Sequence, residues 1–340
     1  MKMIGWLQNL NEDERRTVIE QAAIKCGVVS QAIEKDWWVT LTLKAIFQTE
    51  YAPYLLFKGG TSLGKCWKLI ERFSEDIDLA LDRSFLGYGG ALSRSKIKQL
   101  KREACIFTST TLKDALEQQI QNLAVPADMV TIEVEEIKVT RPDKDPQVLY
   151  LHYPSLFDAI AYLPNVVKIE VSALSLKEPF GDCAVTSLLH DHFPSAEYPE
   201  EPFIVRTIEP RRTFLEKAFL LHEEFARPDK LKIDRKSRHF YDLEKLMDTA
   251  HSQAALSDMQ LYKTIVEHRK LFHALSWVNY QTHDPETINF LPTGETLERF
   301  EKDYELMQSQ MIYTHKPLTF AGLMERIHLL QQRFRAASSN

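Results

Sequence analysis

One stretch constrains this chain more than any other: Phe57-Lys58-Gly59-Gly60-Thr61-Ser62-Leu63-Gly64-Lys65, followed by Ser74-Glu75-Asp76-Ile77-Asp78-Leu79. The apolar run Tyr54 to Phe57 stops at two glycines, which predicts a strand ending in a tight turn. Glycine there lets the backbone approach a ligand closely. Thr61 and Ser62 then open a helix expected from Ser62 to about Ile70, and free N–H groups at a helix start favour phosphate. The chain returns as a strand, Ile77 to Leu81. Side chains alternate along a strand, so Asp76 and Asp78 point to one face. Two such carboxylates repel unless a cation sits between them. Magnesium (or manganese), which takes carboxylates together with phosphate oxygens, is the natural candidate. Two metals there would stabilise the attacking and leaving oxygens of a displacement at phosphorus. The competing reading is a glycine turn with two solvated acids. It leaves unexplained why acids bracket Ile77 on an otherwise apolar strand.

Around this motif the pattern predicts two leading helices, Asn11 to Cys26 and about Gln31 to Gln48. The second carries Trp37, Trp38, Leu41, Leu43, Ile46 and Phe47 and reads as buried, its tryptophans core rather than base-stacking platforms. Arg94 to Asn122 reads as helix, and Val130 to Val139 and Val166 to Ala173 read as half-buried strands. Prolines 194, 199, 202 and 210 mark a boundary. Beyond it the pattern gives helices only: Phe214 to Phe225, Arg238 to His251, Leu256 to Ala274, Thr296 to Met307 and Phe320 to Arg335. The expected domains are therefore 1–205, mixed, and 206–340, helical.

The net charge of −6 over 340 residues excludes a general polyanion binder, so a nucleic-acid partner would need a local basic patch. Cys26, Cys66, Cys105 and Cys183 are too scattered for a zinc site and suit a reducing, cytoplasmic setting. The opening residues do not read as a signal peptide, and no apolar run is long enough to span a bilayer. No membrane partner is expected.

The motif resembles the nucleotidyltransferase signature of the DNA polymerase β superfamily, and looks most like its AbiEii/AbiGii toxin branch, which includes the MenT-type toxins. The gap between Gly-Gly and Asp-x-Asp is longer here than in the most compact members. Ile33-Glu34-Lys35-Asp36-Trp37-Trp38-Val39 resembles the helix preceding the motif in that branch. Thr213 to Ala218 resembles its lysine-bearing third motif, Arg238 to Leu243 its aspartate-bearing fourth, and Tyr304, Met307 and Met311-Ile312-Tyr313 its C-terminal region. The likeness covers roughly residues 12 to 330. It implies an α+β chain: a nucleotidyltransferase fold with a small mixed sheet, followed by an all-helical C-terminal lobe.

In function it implies a toxin restrained by an antitoxin protein. Such a toxin would use a nucleoside triphosphate and Mg2+ to transfer a nucleotide to RNA, the tRNA 3′ end being the expected acceptor. Transfer to a protein hydroxyl, or nucleotide binding without turnover, are the alternatives. Carried over residue by residue, Asp76 and Asp78 hold metal. Lys58, Gly59, Gly60, Thr61, Ser62 and Lys65 contact phosphate, and Lys217 and Asp242 complete the catalytic set. The third metal carboxylate is Glu170, with Glu133 and Glu135 competing.

Read without the resemblance, Lys217 is a lysine snorkelling at a helix edge and Asp242 an acid pairing with Arg238 on its own helix. With it, both are expected to face Asp76 and Asp78 across a cleft. The basic run at 227, 230, 232, 235, 236 and 238 is either a solvated loop or an RNA-backbone contact. Arg94, Lys98, Lys101 and Arg102 form a second basic stripe, read as a solvated helix face. His190 and His192 beside Asp191 lack the further ligands of a metal site.

Overall fold

The computed structural model describes residues 4–136, 144–158, 163–227, 231, 233–314 and 316–337. The chain divides into two compact units, Met1–Trp67 with Phe73–Ile208, and Lys68–Arg72 with Glu209–Asn340. The short segment 68–72 thus groups with the second unit, although it lies between the glycine turn and the Asp-x-Asp strand.

The first unit begins with helices α1 (Gly5–Asn9), α2 (Glu12–Cys26) and α3 (Ser30–Phe47). Asn11 and Glu14 close a capping box on α2, and Gly27 (φ 69°) ends it in the left-handed region. Strand β1 (Leu55–Lys58) runs into α4 (Gly59–Lys65), and β2 (Ile77–Leu81) returns. Then come α5 (Arg94–Phe107), α6 (Lys113–Asn122), β3 (Thr131–Val134), β4 (Gln147–His152), β5 (Val166–Ser172), β6 (Phe180–Val185), α7 (Leu188–His192) and β7 (Phe203–Ile208). The helix expected over Arg94 to Asn122 is interrupted by a π turn at Thr108–Leu112.

The strands form one sheet ordered β3-β4-β5-β2-β1-β7-β6, with β2/β5 and β1/β7 parallel and the other neighbours antiparallel. It is larger than the small sheet expected, because β4, β6 and β7 are additional to the four strands read from sequence. Of the strand expected over Val130 to Val139, Thr131–Val134 is formed, and the part from Ile137 onward lies outside the described residues. Leu55, Phe57, Ile77, Leu79, Val167 and Ile169 are buried at 0% exposure, so the central strands carry the core. Each such side chain contributes roughly 1.5–3 kcal/mol through burial. Trp37 and Trp38 are buried too, packed edge to face 5.1 Å apart, as core residues.

In the second unit the described elements are helices: α8 (Pro210–Phe225), α9 (Ser237–Leu246), α10 (Ala250–Ser257), α11 (Met259–His268), α12 (Glu295–Gln310) and α13 (Phe320–Ala337), with shorter turns between them. Phe225, Phe240 and Phe300 pack as an aromatic cluster. A single bridge, Arg72 with Ile312, adds extended backbone. Among the described residues no helix is long and apolar enough to cross a membrane.

Candidate active site

Strand register builds the site. Lys58 on β1 is the partner of Asp78 on β2, and Asp78 is the partner of Glu170 on β5. Directly opposed residues share a face, so the three side chains stand in a row across three strands. Lys168 lies two residues before Glu170, hence on the same face, and its ammonium is hydrogen-bonded to the Glu170 carboxylate. Asp76 sits just ahead of β2. Its carbonyl accepts a 2.5 Å hydrogen bond from Thr61 Oγ1, which also reaches Ser74 Oγ at 3.0 Å. Thr61 thereby ties the start of α4 to the backbone of the metal-binding candidate. Ser62 Oγ donates to the Gly59 carbonyl at 3.0 Å, closing the first turn of α4.

Gly59 has φ +80°, and a Cβ there would lie 2.0 Å from Asp78 Oδ2. Only glycine permits both the turn and the carboxylate packed over it.

With Asp76, this face carries three carboxyls against the two ammoniums of Lys58 and Lys168. Burial pushes the Asp78 carboxyl up to about 7. Lys58 opposes that rise, while the Glu170 and Asp76 charges and a hydrogen bond shared with Glu170 add to it. Glu170 is also raised by burial, but Lys168, the Asp78 hydrogen bond and Lys58 bring it below the ordinary glutamate value. Asp78 and Glu170 are thus hydrogen-bonded neighbours whose charges oppose each other. Among the described residues no three His, Cys, Asp or Glu side chains already converge as a metal cage. The donor set nonetheless suits a hard dication: carboxylate oxygens, two of them on neighbouring strands in register. Glu133 pairs with His152 at 3.0 Å and Glu135 with Lys144. β3 lies two strands from β5, so of the three competing acids only Glu170 neighbours Asp78.

Lys65, expected on phosphate, is turned the other way. Its ammonium lies 2.6 Å from Asp36 Oδ1 and 2.7 Å from Thr40 Oγ1 on α3, and the residue is 7% exposed. The neighbouring charges of α3 are likewise engaged. Glu34 accepts from Ser155 Oγ (2.5 Å) and Leu156 N (2.8 Å), Lys35 is bonded to Glu75, and Asp36 also accepts from Leu188 N (2.7 Å). Glu75 immediately precedes Asp76, so Lys35 fixes the approach to β2.

In the second unit Lys217 on α8 and Asp242 on α9 meet each other. Asp242 is fully buried, with Arg72 Nε and Nη2 bonded to its two oxygens at 2.7 and 2.8 Å and Lys217 Nζ at 2.8 Å. Burial raises its pKa, but Arg72 and Lys217 outweigh that and hold it far below the ordinary aspartate range. Lys217 is pulled down by burial, with Asp242 opposing. The segment carrying Arg72 is fastened further: Glu71 N donates to Tyr241 Oη (3.3 Å), and Tyr313 N to the Glu71 carbonyl (3.1 Å). In the basic run, Arg227 stacks over Trp277 at 4.5 Å and Lys236 is bonded to Glu224, while Lys230 and Lys232 lie outside the described residues.

Sequence reasoning missed two residues. Lys168 was legible, because alternation along β5 puts it on the face of Glu170. Arg72 was not, because its partner lies 170 residues away.

Residues 42–337 match the family described as nucleotidyl transferase AbiEii toxin, type IV toxin–antitoxin system. The chain belongs to this family of nucleotidyltransferase toxins. No curated protein matches it.

Proposed function

We propose that the chain uses Asp76, Asp78 and Glu170 to hold a divalent cation, magnesium or manganese, against a nucleoside triphosphate, and transfers the nucleotide to an RNA hydroxyl, with the tRNA 3′ end as the expected acceptor. The observation that carries this reading is a face on which three carboxyls, Asp76, Asp78 and Glu170, stand against two ammoniums, Lys58 and Lys168. That count leaves a deficit of positive charge that a cation can fill. When bound, the cation supplies charge stabilisation at the transferring phosphate.

The chain's own groups do the rest. Lys58, beside Asp78, is a point charge for a phosphate oxygen. Gly59 and Gly60 let the backbone come close, and Thr61 and Ser62 hold that turn in shape. The acceptor oxygen bonds to the α-phosphorus as the bond to the leaving pyrophosphate breaks, and the hydroxyl proton leaves to solvent. Lys65 acts from the far side, anchoring α4 to α3 through Asp36. Asp242 is not the base: an anion stabilised by Arg72 and Lys217 accepts a proton poorly. Its role is to fix Lys217, the lysine the family resemblance assigns to transfer, and the segment leading towards Asp76.

Incubation with each labelled triphosphate, with and without total tRNA, tests this. Label on RNA is expected, dependent on the divalent cation. Label on the protein alone would move the acceptor to a side-chain hydroxyl, and binding without label anywhere would leave a nucleotide-binding regulator.

A further inference from the structure

Helix α5 carries five cations, Arg94, Lys96, Lys98, Lys101 and Arg102, and one acid, Glu103, in 14 residues of a chain whose net charge is −6. At about 100° per residue, Arg94, Lys98, Lys101 and Arg102 fall within one arc, with Lys96 on another side. Arg94, Lys98 and Arg102 are exposed and Lys101 half-buried. Among the described residues none of the four makes an ion pair. Glu103 lies on the opposite side of the helix from them, where Gln99 donates to it at 3.0 Å and Tyr88 lies beside it. This differs from the basic run after α8, where Arg227 and Lys236 are already engaged with Trp277 and Glu224.

The stripe also leads to the site. Near its end Cys105 Sγ bonds Gln147 Oε1 at 3.2 Å, fixing α5 against the first residue of β4. Gln147 is the register partner of Val171, so this contact lies on the sheet face opposite Glu170, at the end where β4 begins. Asp145, bonded to Ser172 Oγ (2.6 Å) and Ala173 N (3.1 Å) just past Glu170, feels the charges of both Lys101 and Lys58. A row of cations thus runs from open solvent to the edge of the Lys58–Asp78–Glu170 face. Arg94 to Arg102 spans about 12 Å, room for two or three consecutive phosphates.

We propose that the Arg94–Lys98–Lys101–Arg102 face of α5 is the track on which the phosphate backbone of the RNA acceptor docks, leading its hydroxyl end to Lys58, Asp78 and Glu170. This rests on the RNA-acceptor reading above. Cations without partners give up little when they meet phosphate, and each phosphate neutralised releases counterions, so binding by this face is steeply salt-dependent.

The test is the affinity of the full chain for total tRNA between about 50 and 200 mM salt. Compared are the wild type, R94Q/K98Q/R102Q, and R227Q/K236Q as a control on the other basic segment. Gln keeps the helix propensity of α5, so the fold should hold. In R94Q/K98Q/R102Q the slope of log affinity on log salt should fall by about 2, and label transfer to tRNA should fall with it, while triphosphate binding stays at wild-type strength. Each single Gln variant should take about a third of that change. A slope unchanged in the α5 variant but lowered in R227Q/K236Q overturns this proposal and leaves the RNA reading standing. A wild-type chain that fails to bind tRNA at low salt overturns both.

Discussion

Asp78 is half-buried and Asp242 fully buried, and burial pushes both carboxyls up, yet they end at opposite extremes. Asp78 has one ammonium, Lys58, set against the charges of Glu170 and Asp76, and is raised to about 7. Asp242 has a guanidinium gripping both oxygens and an ammonium at 2.8 Å, and is driven far down. Burial is common to the two, so it is the count of partner charges that separates them. The first site has three carboxyls against two ammoniums, and on the proposed reading a cation fills that deficit. The second is complete without a ligand, and its work is to hold parts of the second unit together.

The comparison breaks most directly at Asp78. Asp78→Asn keeps the shape and removes the charge, so transfer should fall by about 10^3-fold or more, the loss of several kcal/mol of stabilisation at phosphorus. The fold should survive or gain, because repulsion with Glu170 and Asp76 is relieved. Asp76→Asn should behave alike. Normal turnover in either variant would sink the carboxylate mechanism. Asp242→Asn should do the reverse in thermal unfolding, costing about 3–5 kcal/mol by leaving Arg72 and Lys217 buried and unbalanced. Lys217→Ala should cost less than Asp242→Asn in thermal unfolding, since Arg72 still grips both Asp242 oxygens. If Asp242→Asn instead melts like the wild type, the closed cluster is not structural and the contrast fails. Gly59→Ala should come next, at about 10^2-fold in rate, since its methyl displaces Asp78 by an ångström or more. An active Gly59→Ala enzyme would show that the Asp78 position is not critical.

The two acids also differ in how far sequence revealed them. Asp76 and Asp78 were legible because local rules govern them: a glycine turn, a helix start and a strand period of two. Glu170 came from the family resemblance, as a third acid on a neighbouring strand, and strand order separates it from Glu133 and Glu135. The partners of Lys65 and Asp242 were hidden, because Asp36–Lys65 and Arg72–Asp242 are closed by tertiary packing over long chain separations. Strands β6 and β7 were missed for a different reason. β6, Phe-Gly-Asp-Cys-Ala-Val, places a glycine and an acid in an edge strand, and β7 lies between Pro202 and Pro210, where prolines read as a boundary. The solvated-face reading of α5 was sound as helical patterning. What it lacked was the tertiary packing that sets the end of α5 against β4, the neighbour of β5.

The smallest expected effect asks whether Asp242 is typical of the second unit. Glu223 on α8 is 3% exposed, bonded to Arg269 Nε at 2.7 Å and again through Arg269 Nη2, with His283 Nε2 at 3.1 Å. Burial raises its pKa, but the hydrogen bonds and charges of Arg269 and His283 prevail and bring it to about 2, from an ordinary 4.5. A carboxyl depressed on folding binds fewer protons in the folded than in the unfolded chain. Its contribution is therefore complete above about 4.5 and is lost as pH falls through about 2. The shift corresponds to about 3 kcal/mol, of which about 2 kcal/mol should be gone by pH 3. Glu223→Gln should start lower at pH 7 and lose less between pH 6 and pH 3 than the wild type in thermal unfolding. Parallel losses in the two chains would mean that Glu223 is not clamped in this way. Asp242 would then be a special case rather than an instance of how this unit treats its buried acids.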